Sequence, residues 1–143
     1  MTAKECFKRM DDLNMMIAAK TRQIASLRDS LSINAPTTDA EHVSHTRNVH
    51  VMADRIAAVV DAERETDALV DELVDLKNRM IGAINQLPDS KEAMFLTERF
   101  IEGKSTDTIA KEKHYTHRWV QQIVKVATEH LDVILENTSP NFA

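Results

Sequence analysis

The chain has very few residues that interrupt helices. It contains only two glycines and three prolines among 143 residues, whereas the turns between strands need clusters of Gly, Pro, Asn and Asp. Aromatic residues are also scarce, at 4%, and the apolar residues are mainly Leu, Ile, Val, Ala and Met. This composition predicts an all-α protein of a few long helices that pack in a thin layer.

Cysteine and long apolar runs are scarce as well. The single Cys6 cannot form an internal disulfide, and we expect it to be a small apolar residue of the first helix in a reducing cytosol. No apolar run approaches the roughly 18–20 residues that span a bilayer. Lys4, Glu5 and Lys8 interrupt any signal-peptide core. These absences predict a cytoplasmic protein that has no membrane partner.

Motifs for catalysis and metal binding are missing too. His42, His45 and His50 form one cluster, and His114 and His117 form another, but no Cys or carboxylate completes a set of four ligands at suitable spacing. The chain has no glycine-rich phosphate loop and no nucleophile elbow. We therefore expect no cofactor, no metal and no enzymatic activity.

The first long helix is predicted from Thr2 to about Ser32, a stretch without Gly or Pro. Thr2 and Glu5 have the spacing of a capping box at its start. Its apolar residues recur at steps of three, four or seven, which is an a/d heptad pattern. These residues are Met10, Leu13, Ile17, Ile24, Leu27 and Leu31.

A second, longer helix is predicted after a break at Pro36. It begins between Asp39 and Ser44, where Thr37, Thr38 and Asp39 offer caps, and runs to Leu87. A helix of this length needs a partner helix, and the short linker makes the first helix an antiparallel partner in a coiled-coil hairpin. Its predicted stripe is Met52, Ile56, Val59, Glu63, Thr66, Val70, Leu73, Met80, Ile84 and Leu87.

The difference in length between the two helices predicts an uncovered end. Folding at Pro36 sets Met10 near Thr66 or Val70, so the second helix projects past the first from about Leu76. The projecting stripe of Leu76, Met80, Ile84 and Leu87 must then be covered by the C-terminal helices or by a second copy. We favour a homodimer, since thin coils commonly pair.

An acidic run lies in the second helix. From Asp61 to Asp75 there are seven acidic residues against Arg64 alone, a net charge of -6. Such a run is usually a solvated face. It is also suited to docking a basic partner or a basic helix of a second copy, and the sequence does not choose between these.

Three shorter helices are predicted after Pro88. The third runs from Ser90 to Glu102 with Gly103 as its C-cap, and the fourth runs to Lys113 with Ser105 or Thr106 as its N-cap. Thr116 caps the fifth helix, which ends near Glu136. The predicted domains are a hairpin at 1–87, a three-helix unit at 88–136 and a flexible tail at 137–143.

The run from Ser105 to Val126 has the spacing of a helix-turn-helix. Ala110 is the small residue that two helices need where they cross steeply. The apolar residues that meet across this crossing are predicted to be Ile109, Tyr115, Val120 and Ile123. Two positions depart from the usual pattern. His114 stands where Gly is common, because the turn needs left-handed backbone angles, and Lys113 stands at a usually apolar position.

The charge distribution agrees with DNA binding. Lys104 through Lys125 carries a net charge of +3 in a chain whose net charge is -5, which is the footprint of a DNA-reading unit. The start of the fifth helix would enter the major groove, with His117, Arg118, Gln121, Gln122 and Lys125 as candidate base-reading residues. The candidate contacts to the DNA backbone are Lys104, Ser105, Thr106 and Lys111.

The C-terminal third resembles region 4 of bacterial sigma factors. The resemblance covers about residues 91–135 and is carried by Phe95-Leu96-Thr97-Glu98-Arg99-Phe100-Ile101-Glu102-Gly103-Lys104-Ser105, by Ile109-Ala110 and Trp119-Val120, and by Ala127 and Leu131. It is most similar to the version found in phage-encoded late transcriptional regulators of the RinA/ArpU type, which also begin with a helical coil. The resemblance implies binding to promoter DNA and contact with RNA polymerase.

Three functions are therefore compatible with the sequence. The first is a sequence-specific, phage- or prophage-encoded transcriptional regulator that binds double-stranded DNA. The second is a protein-interaction module with a vestigial helix-turn-helix. The third is a DNA-packaging adaptor similar to the small terminases of phages, although the DNA-binding unit of that family usually comes first in the chain.

Overall fold

The computed structural model describes residues 1–33 and 45–138, and every regular element in them is helical. The all-α prediction is confirmed. The predicted break at Pro36, its candidate caps, His42 and the last five residues lie outside the described residues. The elements are α1 (Ala3–Ile33), α2 (His45–Ile84), α3 (Ser90–Leu96), a π-helical turn (Thr97–Ile101), α4 (Thr106–Lys113) and α5 (His117–Thr138).

The predicted boundaries need three corrections. α2 ends at Ile84 rather than Leu87, and Gln86 and Leu87 continue with hydrogen bonds to residues three positions back. The predicted third helix is divided at Leu96 into α3 and the π-helical turn. α5 extends to Thr138, so the helix includes two residues that were predicted to begin the tail. Among the described residues, no helix combines the length and apolarity needed to cross a membrane.

The helical part of the chain forms two compact units. One comprises Asp12–Leu73, and the other combines Met1–Asp11 with the chain from Val74 onwards. Each long helix therefore contributes to both units, which the heptad patterns do not indicate.

The antiparallel hairpin that the sequence predicts over 1–87 is found in the Asp12–Leu73 unit. Lys20 forms an ion pair with Glu65, and Arg28 forms one with Glu63. The partners run in opposite order along the two helices, as antiparallel packing requires. Ile17, Ile24, Leu27 and Leu31 are all half-buried in this unit, because a pair of helices covers only one side of each apolar stripe.

The buried stripe of α2 differs from the predicted one at alternate positions up to Leu73, whereas Ile84 is buried as predicted. Val59 is buried as predicted, whereas Ile56 is 50% exposed and Val70 is 37% exposed. One line of less exposed residues follows steps of three and four throughout, and it comprises Met52, Arg55, Val59, Ala62, Thr66, Leu69, Leu73, Leu76, Met80, Ala83 and Leu87. Glu63 and Glu65 reach α1 from the two edges of this stripe, which therefore runs between them through Ala62 and Thr66.

The first three turns of α1 belong to the C-terminal unit. The capping box is confirmed, since the Thr2 and Glu5 N–H groups each donate to the other's side chain at 3.2 Å. The Ala3 N–H donates to Asp132 Oδ1 of α5 at 2.6 Å. The ring of Phe7 stacks on that of Phe100, with the ring centroids 3.9 Å apart.

The predicted alignment of Met10 with Thr66 or Val70 is therefore wrong. Met10 is buried in the unit that contains the chain from Val74 onwards, whereas Thr66 and Val70 belong to the hairpin unit. Cys6 is also buried beside it, and desolvation by burial raises the pKa of its thiol. The thiol is thus protonated and apolar at neutral pH, as its place in the first helix predicts.

The stripe that was predicted to project is covered within the chain. Met80, Ile84 and Leu87 are buried in the C-terminal unit, and Leu76 is half-buried there. The sequence allows this stripe to be covered by the C-terminal helices or by a second copy, and in the structure residues of the same chain cover it. A second copy is not needed to cover these residues.

Candidate nucleic-acid interface

The helix that precedes the helix-turn-helix is fixed at both ends. Asp89 caps α3, because its Oδ1 accepts a hydrogen bond from the Lys91 N–H at 2.9 Å. At the other end, the π-helical turn closes when the Lys104 N–H donates to the Glu98 carbonyl at 3.0 Å. Gly103 between them has a φ of 77°, the left-handed angle that glycine adopts without strain. The predicted role of Gly103 as a helix stop is confirmed.

Local side-chain chemistry sets the helix-turn-helix itself. Ser105 Oγ caps α4 by accepting a hydrogen bond from the Thr108 N–H at 3.1 Å. His114 ends α4 in the left-handed conformation, with a φ of 61°. Thr116 Oγ1 then accepts a hydrogen bond from the Trp119 N–H at 3.2 Å, which caps α5. All three roles agree with those predicted from the sequence.

A small apolar cluster holds α3, α4 and α5 together. It consists of Phe95, Ile109, Ala110 and Val120, with the partly buried Ile123 and Val124 packed against it. Four of the five residues predicted for this core belong to the cluster or pack on it. The fifth, Tyr115, lies at the edge with 37% of its surface exposed and its ring centroid 6.0 Å from that of Phe95.

An ion-pair network takes the place of the apolar contact expected at Lys113. The Lys113 Nζ lies 3.3 Å from Glu98 Oε1, and Lys104 Nζ lies 3.4 Å from the same oxygen. Glu98 is buried, and its Oε2 has no hydrogen-bond partner among the described residues. Two lysines beside one buried carboxylate offset the cost of removing it from water. The charged Lys113 at a usually apolar position is therefore compensated by its ion pair with Glu98.

Lys104 is engaged within the protein. Besides Glu98, its Nζ approaches Glu112 at 3.0 Å and Glu102 at 3.7 Å. The hydrogen bond that Lys104 donates to Glu112 is the main reason that the pKa of Lys104 is raised. Three carboxylates compensate this charge, which leaves less of it for a DNA phosphate than the sequence suggests. Lys111 is exposed, Thr106 is half-buried, and the Ser105 hydroxyl is occupied by capping.

The candidate base-reading residues are all exposed at the start of α5. Arg118, Gln122 and Lys125 follow one another at steps of four and three, so they form one row along the helix. Arg118 and Gln122 each lie two positions from buried Val120, which places the row on the side opposite the core. His117 and Gln121 flank the row towards α4, and His117 Nε2 lies 3.2 Å from Asp107.

An aromatic cluster borders the other side of this row. The Trp119 ring lies 4.3 Å from that of Tyr115 and 6.1 Å from that of Phe95, measured between centroids. Lys91 Nζ stands 5.1 Å from the Trp119 centroid and 5.4 Å from that of Tyr115. Lys91 is not among the residues predicted to contact DNA. Lys91 lies one turn before Phe95, on the side of α3 that faces α5, and this position in the sequence could have indicated its contact with the aromatic cluster.

A second polar contact joins α3 to α5 further along. His130 Nδ1 lies 2.8 Å from Glu92 Oε2, and this hydrogen bond raises the pKa of His130. In the part of the chain that the structure describes, no group of three or more His, Cys, Asp or Glu residues could hold a metal ion.

Comparisons with protein-family models, curated proteins and solved structures gave no match for this chain. The functional interpretation therefore depends on the geometry of α3 to α5 and on the residues that carry the resemblance to sigma region 4.

Proposed function

We propose that this chain is a sequence-specific DNA-binding protein that regulates transcription, with α5 as its reading helix. The observation that carries the proposal is the exposed row of Arg118, Gln122 and Lys125, held opposite the apolar cluster by the capped α4–α5 turn. A helix of this kind fits the major groove. Arg pairs with guanine and Gln with adenine through two hydrogen bonds each.

The two lysines beside the row, Lys111 and Lys104, contribute unequally to positioning the protein on DNA. Lys111, exposed on α4, is suited to a phosphate at one wall of the groove. Lys104 remains paired with three carboxylates and contributes less to phosphate binding. The exposed cations Lys111, Arg118 and Lys125 attract DNA to this unit of an otherwise acidic protein.

The resemblance to sigma region 4 adds a biological setting to this proposal. It suggests promoters of a phage or prophage as targets and RNA polymerase as a partner. Transcription from a selected promoter by bacterial RNA polymerase, with and without the protein, tests that part separately from DNA binding.

The DNA-binding test begins with selection of a preferred duplex from a random library by the full chain. The affinity for that duplex and for a random one is then measured at several salt concentrations. Arg118→Ala should weaken binding to the selected duplex by ~1–3 kcal/mol and relax base preference at one position.

Two lysine variants provide a matched comparison. Lys111→Ala should weaken all duplexes alike and lower the salt slope by about one unit, whereas Lys104→Ala should change the slope less. Absence of salt-dependent DNA binding by the folded protein would refute the proposal and favour the interaction module. Ring-shaped oligomers in solution would favour the packaging adaptor.

A further inference from the structure

Trp119 is a rigid aromatic side chain beside the base-reading row that the proposed DNA contacts do not use. It lies in the first turn of α5, directly after Arg118, and it is 38% exposed. Tyr115, the edge of Phe95 and the Lys91 ammonium surround the ring. A ring held on three sides presents its free edge in one orientation, which a specific contact requires.

The free side of Trp119 opens into a cavity of about 320 Å³ between the start of α3 and α5. Trp119, Ile123 and Val126 form its apolar wall, and Gln122 forms the border that it shares with the base-reading row. Asp89, Lys91 and Glu92 line the remaining side. With α5 in the major groove as proposed above, a base adjacent to the one contacted by Gln122 would present its edge at this cavity.

The charges around this cavity select against a phosphate. Asp89 and Glu92 are acidic, and Lys91 is the only basic residue among those that line the cavity. Glu92 is bound by His130, and the Asp89 carboxylate accepts the Lys91 N–H. A phosphate would meet two carboxylates, whereas an uncharged apolar group would meet indole and aliphatic carbon.

We propose that Trp119, Ile123 and Val126 form a pocket for the 5-methyl group of a pyrimidine in the major groove, that of thymine in unmodified DNA. The proposal rests on the function proposed above, and it adds a base preference at a position that no hydrogen bond reads. Thymine is the one standard base that presents a methyl group in this groove. Burial of one methyl group corresponds to about a fourfold gain in affinity.

The test uses the full chain and the selected duplex, with each thymine replaced in turn by deoxyuridine, which lacks only the methyl group. One replacement should weaken binding about fourfold, and the others should have little effect. Placing 5-methylcytosine at cytosine positions shows whether a methyl group on the other pyrimidine is also accepted.

Two valine variants make the test specific to the pocket. Trp119→Ala also removes packing from Phe95 and can unfold the unit, so Val126→Gln is the main variant. Val133→Gln is its matched control, because Val133 lies two turns further along the same side of α5 and is 56% exposed. Val126→Gln should abolish the thymine–deoxyuridine difference, and Val133→Gln should retain it.

The possible failures can be distinguished. Specific DNA binding with no methyl effect at any position, or a selected duplex without thymine near the reading row, would overturn the pocket and leave the proposed function intact. The same holds for a methyl effect that Val126→Gln does not change. Loss of specific DNA binding altogether would overturn both.

Discussion

His114 occupies a backbone position that few residues tolerate. It is the one non-glycine residue with a positive φ among the described residues, and a side chain in this region costs roughly 1–2 kcal/mol. The sequence predicts this strain because the spacing of the helix-turn-helix places a turn there. Such local features can be predicted from the sequence because they depend on residues within four positions.

Replacing His114 with Gly should therefore stabilise the protein by roughly 0.5–1 kcal/mol, after allowance for the greater freedom of glycine in the unfolded chain. Urea denaturation of both proteins measures the difference. His114→Val is the opposing variant and should destabilise, because branching at Cβ disfavours this conformation. A loss of stability in His114→Gly would mean that the imidazole makes a contact worth more than the strain.

His130 links α3 to α5 in a pH-dependent way. Its hydrogen bond with Glu92 raises its pKa above the ordinary value of 6.5, so the folded state binds the proton more tightly than the unfolded chain. This contribution is complete below pH 6.5 and is lost as the pH rises through the raised pKa. Wild-type protein should therefore exceed His130→Gln in stability at pH 6, with the difference shrinking at alkaline pH. Denaturation over a pH series tests this, and a difference that does not vary with pH would contradict it.

At the scale of elements, the two long helices illustrate what a heptad pattern leaves open. The positions of Val59 and Leu73 are common to the predicted and the observed stripes of α2. The alternate positions of the predicted stripe are Ile56, Glu63 and Val70, which follow from steps of three and four. In the structure, Arg55, Ala62 and Leu69 occupy them instead. Which side of a helix faces its partner depends on residues of the other helix, here Arg28 and Lys20, and no window within α2 contains that information.

Adjacent residues provide a direct test of the observed stripe. Leu69→Asp should destabilise the hairpin by about 1–3 kcal/mol, because it places an unpaired carboxylate in the half-buried contact with α1. Val70→Asp adds the same charge one residue away at an exposed position and should cost less than about 0.5 kcal/mol. Equal losses, or a larger loss for Val70→Asp, would support a stripe that runs through Ile56 and Val70.

More of the candidate site than of the packing around it can be predicted from the sequence. The caps at Ser105 and Thr116, the small Ala110 and the exposed Arg118 follow from spacing within one motif. The Lys104 network and the cavity beside Trp119 do not, because they combine residues of α3, the π-helical turn, α4 and α5. Nothing in the sequence around Glu98 indicates that its carboxylate is buried between two lysines.

At the scale of the whole molecule, the start of α1 is part of the unit that holds the helix-turn-helix. Phe7 is 4% exposed and stacks on Phe100, and Ala3 is joined to α5 through Asp132. The sequence does not reveal this, because the pairing of residues more than ninety positions apart leaves no local pattern. Stability of the proposed DNA-binding unit thus depends on residues at the opposite end of the sequence.

Phe7→Ala should destabilise the C-terminal unit by about 3–5 kcal/mol, since a buried aromatic ring is removed. Met15→Ala is the control on the same helix, where 64% exposure predicts a change below about 0.5 kcal/mol. Thermal unfolding followed by circular dichroism measures both. If Phe7→Ala were as mild as Met15→Ala, the stacking on Phe100 would not hold α1 to this unit.

The hydrogen bond between Ala3 and Asp132 also has a consequence for synthesis on the ribosome. The two residues are separated by 129 positions, so the apolar side of the first turns of α1 is made long before its binding surface emerges from the exit tunnel. During that interval Cys6, Phe7 and Met10 are available to chaperones or to other nascent chains. A chain that ends before Asp132 lacks the acceptor for the Ala3 N–H, so its first turns are held less firmly and are more open to cellular proteases.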